Sequence, residues 1–457
     1  MKQLIKYTGV ALLALSLSSC HIYNKYQLPT DNAVAADYRQ AVENQDSTGL
    51  AYLGWHDIFT DPILRGYIEE ALAANNDLDN ARLNVEIAHA QLLGAKLSYL
   101  PSLALTPNGG SASYGGSHMD WSYSIPLAAN WEIDAFGKIL NRKRGAKASL
   151  EQTQAYEQAV RSQIITAVAS TYYSLVLLNR QLELTKTTAE IWKDQVETME
   201  QLKAAGTTTE AAVVQSRANY YSILSTIPDL EQQIVLVDNS FSLLLNTYPR
   251  QWEVGKDLTL TLPAEASSGV PMSYLATRPD VAAAERALAT AFYTVSSAHA
   301  AFYPSIAISA QGGFTNLIGS MIMNPGKWFI QLAGSLTAPL FSRGQNIAQL
   351  KAAKAQQQQA LNNFETAVMS AAADVSDALV RIAKSGEKKV LVDMQVEQLE
   401  KSVEYTNELF ILNHQTSYLE VLTARSSLLQ AQLASLGCWH DHTSALISLY
   451  QAVGGGR

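Results

Sequence analysis

Residues 146–205 read AKASLEQTQAYEQAVRSQIITAVASTYYSLVLLNRQLELTKTTAEIWKDQVETMEQLKAA, a run with neither glycine nor proline. Because no helix breaker interrupts it, this run predicts one long helix, which would extend for about 90 Å at 1.5 Å per residue. Its apolar and small residues recur at alternating steps of three and four, the spacing of coiled coils: Leu175, Leu178, Leu182, Thr185, Ala189, Trp192, Val196 and Met199.

A second helical region lies in the last quarter of the chain, where no proline follows Pro339 and heptad spacing returns over 392–410 and 419–436. Each helical region contains one break, at 205–209 and at 413–417. Glycine or asparagine suits a left-handed helix end and threonine suits a helix start, so both breaks predict the tips of helical hairpins. We therefore expect helices over about 138–204, 208–246, 343–412 and 416–451.

Strand patterns occur between the helices. Apolar and small or polar residues alternate from Trp121 to Trp131 and again from Trp328 to Thr337, with weaker patterns over 103–105 and 305–310. These patterns predict strand pairs over about 102–134 and 304–340. An apolar face with aromatic ends is typical of transmembrane β-strands, although a half-buried soluble hairpin fits the periodicity equally well.

The chain contains an internal repeat. Tyr99-Leu100-Pro101-Ser102-Leu103-Ala104-Leu105 recurs as Phe302-Tyr303-Pro304-Ser305-Ile306-Ala307-Ile308. The order helix, strand pair, long helix, tip and helix therefore occurs twice. We assign 61–270 to a first structural repeat and 271–457 to a second.

The N-terminus resembles a bacterial lipoprotein signal. Lys2 and Lys6 precede a short apolar stretch, and Leu17-Ser18-Ser19-Cys20 matches a lipobox. We expect 1–19 to be a signal peptide, Cys20 to be acylated, and 20–60 to be an extended segment behind an outer-membrane lipid anchor. The alternative is an ordinary secretory signal with a chance cysteine.

Composition excludes several other classes. A net charge of −8 gives no basic surface for nucleic acid, so no nucleic-acid partner is expected. The sequence has no P-loop, no GxSxG and no HExxH. Cys438 and His442, with His440 nearby, are too few ligands for a metal site, and a packed cysteine is favoured. We expect no enzyme activity, no catalytic residue, no metal and no cofactor apart from lipid on Cys20.

The strand inventory requires several copies of the chain. About four strands cannot close into a barrel, and open sheet edges are not tolerated in hydrocarbon, since unpaired backbone groups cost several kcal/mol each. Several copies of the chain must therefore contribute strands to one shared barrel.

Three motifs carry a family resemblance: Trp131-Glu132-Ile133-Asp134-Ala135-Phe136-Gly137-Lys138, Arg278-Pro279-Asp280-Val281, and Ser448-Leu449-Tyr450-Gln451-Ala452-Val453-Gly454-Gly455-Gly456. With Tyr26-Gln27-Leu28-Pro29 and the lipobox, they resemble the lipoprotein branch of the TolC-like outer membrane factors, the channels of RND-type efflux systems. The resemblance implies a mainly α fold with a transmembrane β part. Long coiled-coil hairpins of a homotrimer would form a 12-helix α-barrel that is continuous with a 12-stranded β-barrel.

The function implied by this resemblance is an outer-membrane channel of a tripartite efflux system that extends into the periplasm. It would be a passive duct for small molecules, supplied by an inner-membrane RND-type transporter through a periplasmic adaptor protein. Two alternatives stay open: a duct for type I protein secretion, and a trimeric coiled-coil periplasmic lipoprotein without a pore. The second would need no alternating, aromatic-flanked strands.

The resemblance also implies site residues at the hairpin tips. Glu420 aligns with an acid that rings the periplasmic aperture, Thr423 replaces a second acid, and Thr416 stands where some members carry an arginine. Glu210, just past the first tip, is a further aperture candidate, although it does not align with the family's acidic positions. For Glu420 the alternative is an ordinary surface charge near a helix start, where the helix dipole favours acids. The expected adaptor contacts are Gly206, Thr207, Thr208, Asn413, His414 and Gln415.

Overall fold

The computed structural model describes residues 23–43, 53–113, 120–255, 260, 277–318, 321–413 and 418–456. The signal peptide, Cys20, the tip residues His414, Gln415 and Thr416, and the repeat boundary at 270 lie outside the described residues. In chain order the elements are α1 (Ala33–Glu43), α2 (Trp55–Ile58), α3 (Pro62–Ala74), α4 (Asn76–Leu97), β1 (Ser102–Leu105), β2 (Asn108–Ala112), β3 (Asp120–Ile133), α5 (Lys138–Ala204), α6 (Glu210–Leu244), α7 (Pro279–Ala300), β4 (Ser305–Ile318), β5 (Met321–Thr337), α8 (Gln345–Asn413) and α9 (Tyr418–Ala452).

Two compact units are built from interleaved segments. Unit 1 comprises 1–35, 83–155 and 282–366, and unit 2 comprises 36–82, 156–281 and 367–457. Each unit takes residues from both halves of the sequence, and both α5 and α8 contribute to each unit. Among the described residues, no helix combines the length and the apolarity needed to cross a bilayer.

Unit 1 contains one antiparallel sheet with the strand order β1-β3-β4-β5. Both β1 and β2 pair with β3, β1 against 127–130 and β2 against 120–124, so they form one broken strand. The break falls at Thr106-Pro107, where proline has no N–H for a ladder. The first predicted strand is therefore two short strands.

The register places most of the large apolar residues of β1, β3, β4 and β5 on one face. Ile125 pairs with Phe314, and Phe314 pairs with Trp328. This face is open: the exposed fraction is 74% for Trp121 and 76% for Ile330. A half-buried soluble hairpin would cover such side chains, so the open face favours the transmembrane interpretation. The opposite face is mostly small and polar apart from Phe329, and Gln311 donates to Gln331 across it at 2.6 Å.

Aromatic side chains mark two levels of the apolar face. Tyr123, Phe314 and Trp328 lie near one end of the sheet, and Trp131 lies near the other. The eight residue steps from Tyr123 to Trp131 span about 26 Å along the strand. This distance is close to the height of the apolar band of outer-membrane sheets, about 25 Å.

Unit 2 is helical, and its core follows the predicted heptad positions. Leu175, Thr185, Ala189, Trp192 and Met199 of α5 are all buried. A separate aromatic group forms where the rings of Tyr67, Phe241 and Trp252 meet edge to face at about 5 Å between centroids. The heptad positions predicted from the sequence thus form the side of α5 that packs in the core.

One expectation about local structure needs correction, and one predicted helix contains a proline. The segment 20–60 is not extended throughout, because α1 and α2 are helical. Pro228 lies inside α6 without ending it. Its ring is on an exposed face of the helix, so the lost hydrogen bond leaves groups that water can reach.

The first family motif starts α5. The Asp134 carboxylate accepts from the Ile139 and Leu140 N–H groups at 3.1 and 2.7 Å, which satisfies donors that have no partner in the helix itself. Gly137 just before the helix has φ +67°, a conformation that glycine adopts freely. This motif therefore explains the strand-to-helix turn and carries no chemistry.

The last family motif docks the end of α9. Ser162 Oγ donates to Gly455 O at 2.5 Å, and Gln158 donates to Gly456 O at 3.0 Å. Tyr450 Oη donates to Leu53 O at 3.1 Å and accepts from Gly456 N–H. A side chain at Gly455 would meet the Tyr450 ring at 2.4 Å, so only glycine fits there.

Candidate functional site at the hairpin tips

The first tip is a tight turn in which backbone hydrogen bonds close the end of α5. Gly206 has φ +77°, its N–H donates to Lys203 O, and Thr207 N–H donates to Leu202 O, both at 2.9 Å. This pair of bonds is the Schellman arrangement, in which glycine supplies the left-handed residue. Thr209 then caps α6 by accepting from Ala212 N–H.

An ion pair joins the two sides of this tip. Lys203 at the end of α5 contacts Glu210 at the start of α6. The Lys203 ammonium donates to the carboxylate and lowers the pKa of Glu210. Both side chains remain about half exposed. Because Lys203 neutralises it locally, Glu210 is a weaker source of negative potential than its sequence position implied.

Glu420 lies in the first turn of α9, and its side chain is exposed. Thr423 is also exposed, and its hydroxyl donates to Leu419 O at 2.8 Å. Both residues therefore lie on an accessible side of α9 near the second tip. The remaining candidates at this tip, Thr416 with His414 and Gln415, fall outside the described residues, and of Asn413 only the backbone is described.

A buried contact beneath the tips was not predicted from the sequence. Tyr418 Oη and Ser216 Oγ lie 2.5 Å apart, joining α9 to α6. Burial raises the pKa of the Tyr418 phenol. Around it lies an apolar cluster with Trp192 and Met199 of α5 and Leu422 of α9. In the sequence, only the position of Tyr418, two residues before Glu420, pointed to this contact. This cluster fixes how α9 starts, and thereby where Glu420 is held.

The Cys438 region is packed, as the sequence favoured. Cys438 is 1% exposed, and His440 and His442 each lie within 3.2 Å of a serine hydroxyl, on Ser174 and Ser385. Within the described ranges, no group of three His, Cys, Asp or Glu side chains is arranged to hold a metal ion.

An exposed apolar sheet, long helical hairpins and polar tips are the parts of a duct rather than of a catalytic pocket. A model of the outer membrane efflux protein family matches residues 67–247 and 270–455. The chain belongs to the outer membrane efflux protein family. This membership confirms the predicted resemblance, the predicted place in the outer membrane and the predicted role in efflux.

Known relatives cover nearly all of this efflux protein. It is 30% identical to the probable outer membrane lipoprotein SilC of Salmonella typhimurium over 421 residues, which are 88% of each chain. It is 28% identical to the cation efflux system protein CusC of Escherichia coli K12 over 458 residues, 97% of this chain and 98% of CusC. A crystal structure of CusC matches with a TM-score of 0.84 at 26% identity, covering 94% of this chain and 99% of that one.

These matches also reject one of the alternative functions. The sheet and the family both contradict a coiled-coil lipoprotein without a pore, so that alternative is wrong. Family members are channels, and the efflux protein has the mainly helical fold with a β part that the sequence predicted.

Proposed function

We propose that three copies of this chain form one continuous duct through the outer membrane and into the periplasm, and that small molecules leave the cell through it. The observation that carries the proposal is the open apolar face of the sheet in unit 1. Among the described strands, β1 and β2 end that sheet on one side and β5 on the other, and none of them pairs with a further strand. Unpaired edges cannot remain in lipid, so the edges of neighbouring copies pair until the sheet closes.

Exposed apolar stripes on two helices of unit 2 support the same assembly. One follows α6 at nearly heptad spacing and the other follows α8, and both face away from the core of unit 2. The α6 stripe is Val214, Tyr221, Val235, Leu236 and Leu243, and the α8 stripe is Val380, Val390, Leu391, Met394, Tyr405 and Leu409. The α6 stripe of one copy would pack on the α8 stripe of the next, a contact that closes into a ring.

The tips would connect the duct to its partners. A periplasmic adaptor would contact Gly206, Thr207 and Thr208, and the second tip at Asn413, His414 and Gln415, and would bring cargo from an inner-membrane RND-type transporter. The exposure of the first tip supports this assignment. The protein itself would do no chemistry and need no cofactor. Membership in an efflux family favours small molecules over secreted proteins.

Glu420 would ring the periplasmic aperture, with Thr416 and Thr423 beside it. Three copies of an exposed carboxylate around one axis attract cations. Glu420→Gln is therefore expected to lower the ratio of cation to anion permeability of the reconstituted protein in planar bilayers, by about twofold or more. Glu210→Gln is the matched control, and it should change this ratio less because Lys203 already neutralises Glu210. Unchanged selectivity with lower thermal stability would instead identify Glu420 as a helix-start charge.

Lipid on Cys20 would anchor the duct beside its sheet. Tyr23 Oη donates to Ala135 O at 2.7 Å, and Arg144 donates to Tyr23 O at 3.0 Å, so the chain is held just beyond the Trp131 level of the apolar face. The three residue steps from Cys20 to Tyr23 span at most about 11 Å. Acyl chains on Cys20 would thus reach the same membrane that the sheet enters.

Mass spectrometry of the N-terminal peptide from membranes tests this anchor. The expected peptide begins at Cys20 and carries the mass of a diacylglyceryl group with or without a third acyl chain. In Cys20→Ser the acyl mass should be absent. An unmodified peptide that begins at or before Cys20 in the unaltered protein would contradict the anchor while leaving the duct proposal intact.

A further inference from the structure

A cavity of about 500 Å³ lies within unit 2 close to the hairpin tips. Such a volume is enough to hold a small organic molecule or a few side chains of a partner. Its walls combine polar and apolar groups from three helices: Gln195, Thr198 and Leu202 of α5, Asn407 and Phe410 of α8, and Arg425 of α9.

Arg425 is the unusual group in this cavity. Its Nε is buried and has no hydrogen-bond partner among the described residues, and no described carboxylate lies within 4.0 Å to form an ion pair. Burial lowers the pKa of its guanidinium, and only the Tyr418 phenol acts in the opposite direction. By contrast, buried Arg278 pairs with both Asp280 and Asp374.

The buried Nε of a partly buried arginine without a counter-charge is costly, because that N–H has lost water and gained no acceptor. A carboxylate offsets that cost best, since it accepts two parallel N–H bonds from a guanidinium. Leu202 and Phe410 offer apolar contact beside it. Asp194, exposed on the same cavity wall, would repel a second negative charge.

We propose that this cavity is a binding site for a single carboxylate carried on an apolar body, with Arg425 as the group that recognises the carboxylate. The carboxylate has two possible sources, a small organic acid in transit or an acidic side chain of a protein that docks at the tips. The site is independent of Glu420 and of the sheet.

The direct test uses the full-length protein in detergent and 4-fluorophenylacetate as the probe, followed by ¹⁹F NMR. Saturable binding is expected, and the neutral 4-fluorophenylacetamide should bind about tenfold or more weakly, because a hydrogen-bonded charge is lost. Arg425→Gln should weaken binding of the acid to the level of the amide. Arg217→Gln, which removes an exposed arginine paired with Glu200, should leave binding unchanged.

Thermal unfolding separates a binding role from a structural one. Without the probe, Arg425→Gln should melt at the same temperature as the unaltered protein or higher, because a charge without an ion partner has been removed. With the probe, only the protein that keeps Arg425 should gain stability. Equal binding of acid and amide, normal binding by Arg425→Gln, or a lower melting temperature of that variant without probe would overturn the proposal.

The two sources are distinguished in cells. If the carboxylate belongs to exported molecules, Arg425→Gln should impair the export of aromatic acids and spare neutral compounds. If it belongs to a docking protein, export of both classes should fall together, with fewer formaldehyde cross-links at the tips. Both results support the site. Absence of any probe binding to the trimer would show that a neighbouring copy already fills the cavity, which overturns the proposal and leaves the duct proposal intact.

Discussion

Tyr221→Glu combined with Val235→Glu is expected to leave the protein monomeric in detergent. Both side chains belong to the α6 stripe and are about half or more exposed in the single chain. Burial of a large apolar side chain contributes about 1.5–3 kcal/mol, and a glutamate in its place would need to lose its water without a partner. Because each copy in a ring makes this contact, the loss is repeated at every interface. Light scattering on size-exclusion chromatography measures the mass directly.

The matched control changes the same helix outside the stripe. Thr226→Glu with Gln233→Glu introduces the same two charges at exposed positions about 120–140° around the helix from Tyr221. These variants should remain trimeric and conduct ions. If the variant with charges in the α6 stripe stays trimeric, the proposed α6–α8 interface is wrong. If both double variants lose the trimer, general charge repulsion explains the loss instead.

Thr207→Trp at the first tip is expected to abolish export while trimers and channel conductance stay normal. The turn itself should survive, because the bond from Thr207 N–H to Leu202 O belongs to the backbone. Only the hydroxyl bond from Thr207 to Leu202 O is lost, at about 1 kcal/mol. The indole would, however, protrude where an adaptor must approach. Ethidium accumulation in cells that contain the pump and adaptor but no other efflux duct should rise to the level without this protein.

Gln233→Trp is the control for an added indole on an exposed helix surface, and it should export ethidium normally. Disrupted trimers in Thr207→Trp would contradict the assignment of this turn to docking, since the turn would then be structural. Normal export would remove Gly206, Thr207 and Thr208 from the adaptor contacts.

Elements dominated by local sequence could be predicted well. The long helices begin and end within about two residues of the predicted bounds, because glycine, threonine and proline act on the backbone next to them. Alternation gave the correct apolar face for β3 and β5, since side chains of a strand alternate whatever its partner is. The break between β1 and β2 was missed, although Pro107 marks it.

Features that join distant parts of the chain could not be predicted. Tyr418 and Ser216 are 202 residues apart, and no periodicity in either segment indicates that they meet. The open cavity around Arg425 depends on three helices at once. The pairing of Lys203 with Glu210 was also missed, although the two residues flank a tip that the sequence located. Residue type therefore located the candidate site, and only the structure showed that Lys203 pairs with one of its acids.

The hydrogen bond between Tyr450 and Leu53 joins positions 397 residues apart. At ribosomal speeds of roughly 5–20 residues per second, Leu53 is synthesised about 20–80 s before Tyr450 follows it. The packing of unit 2 cannot be completed during that interval, and the apolar side chains of the strands stay exposed. We therefore expect the chain to need a chaperone that covers these side chains until it reaches the membrane.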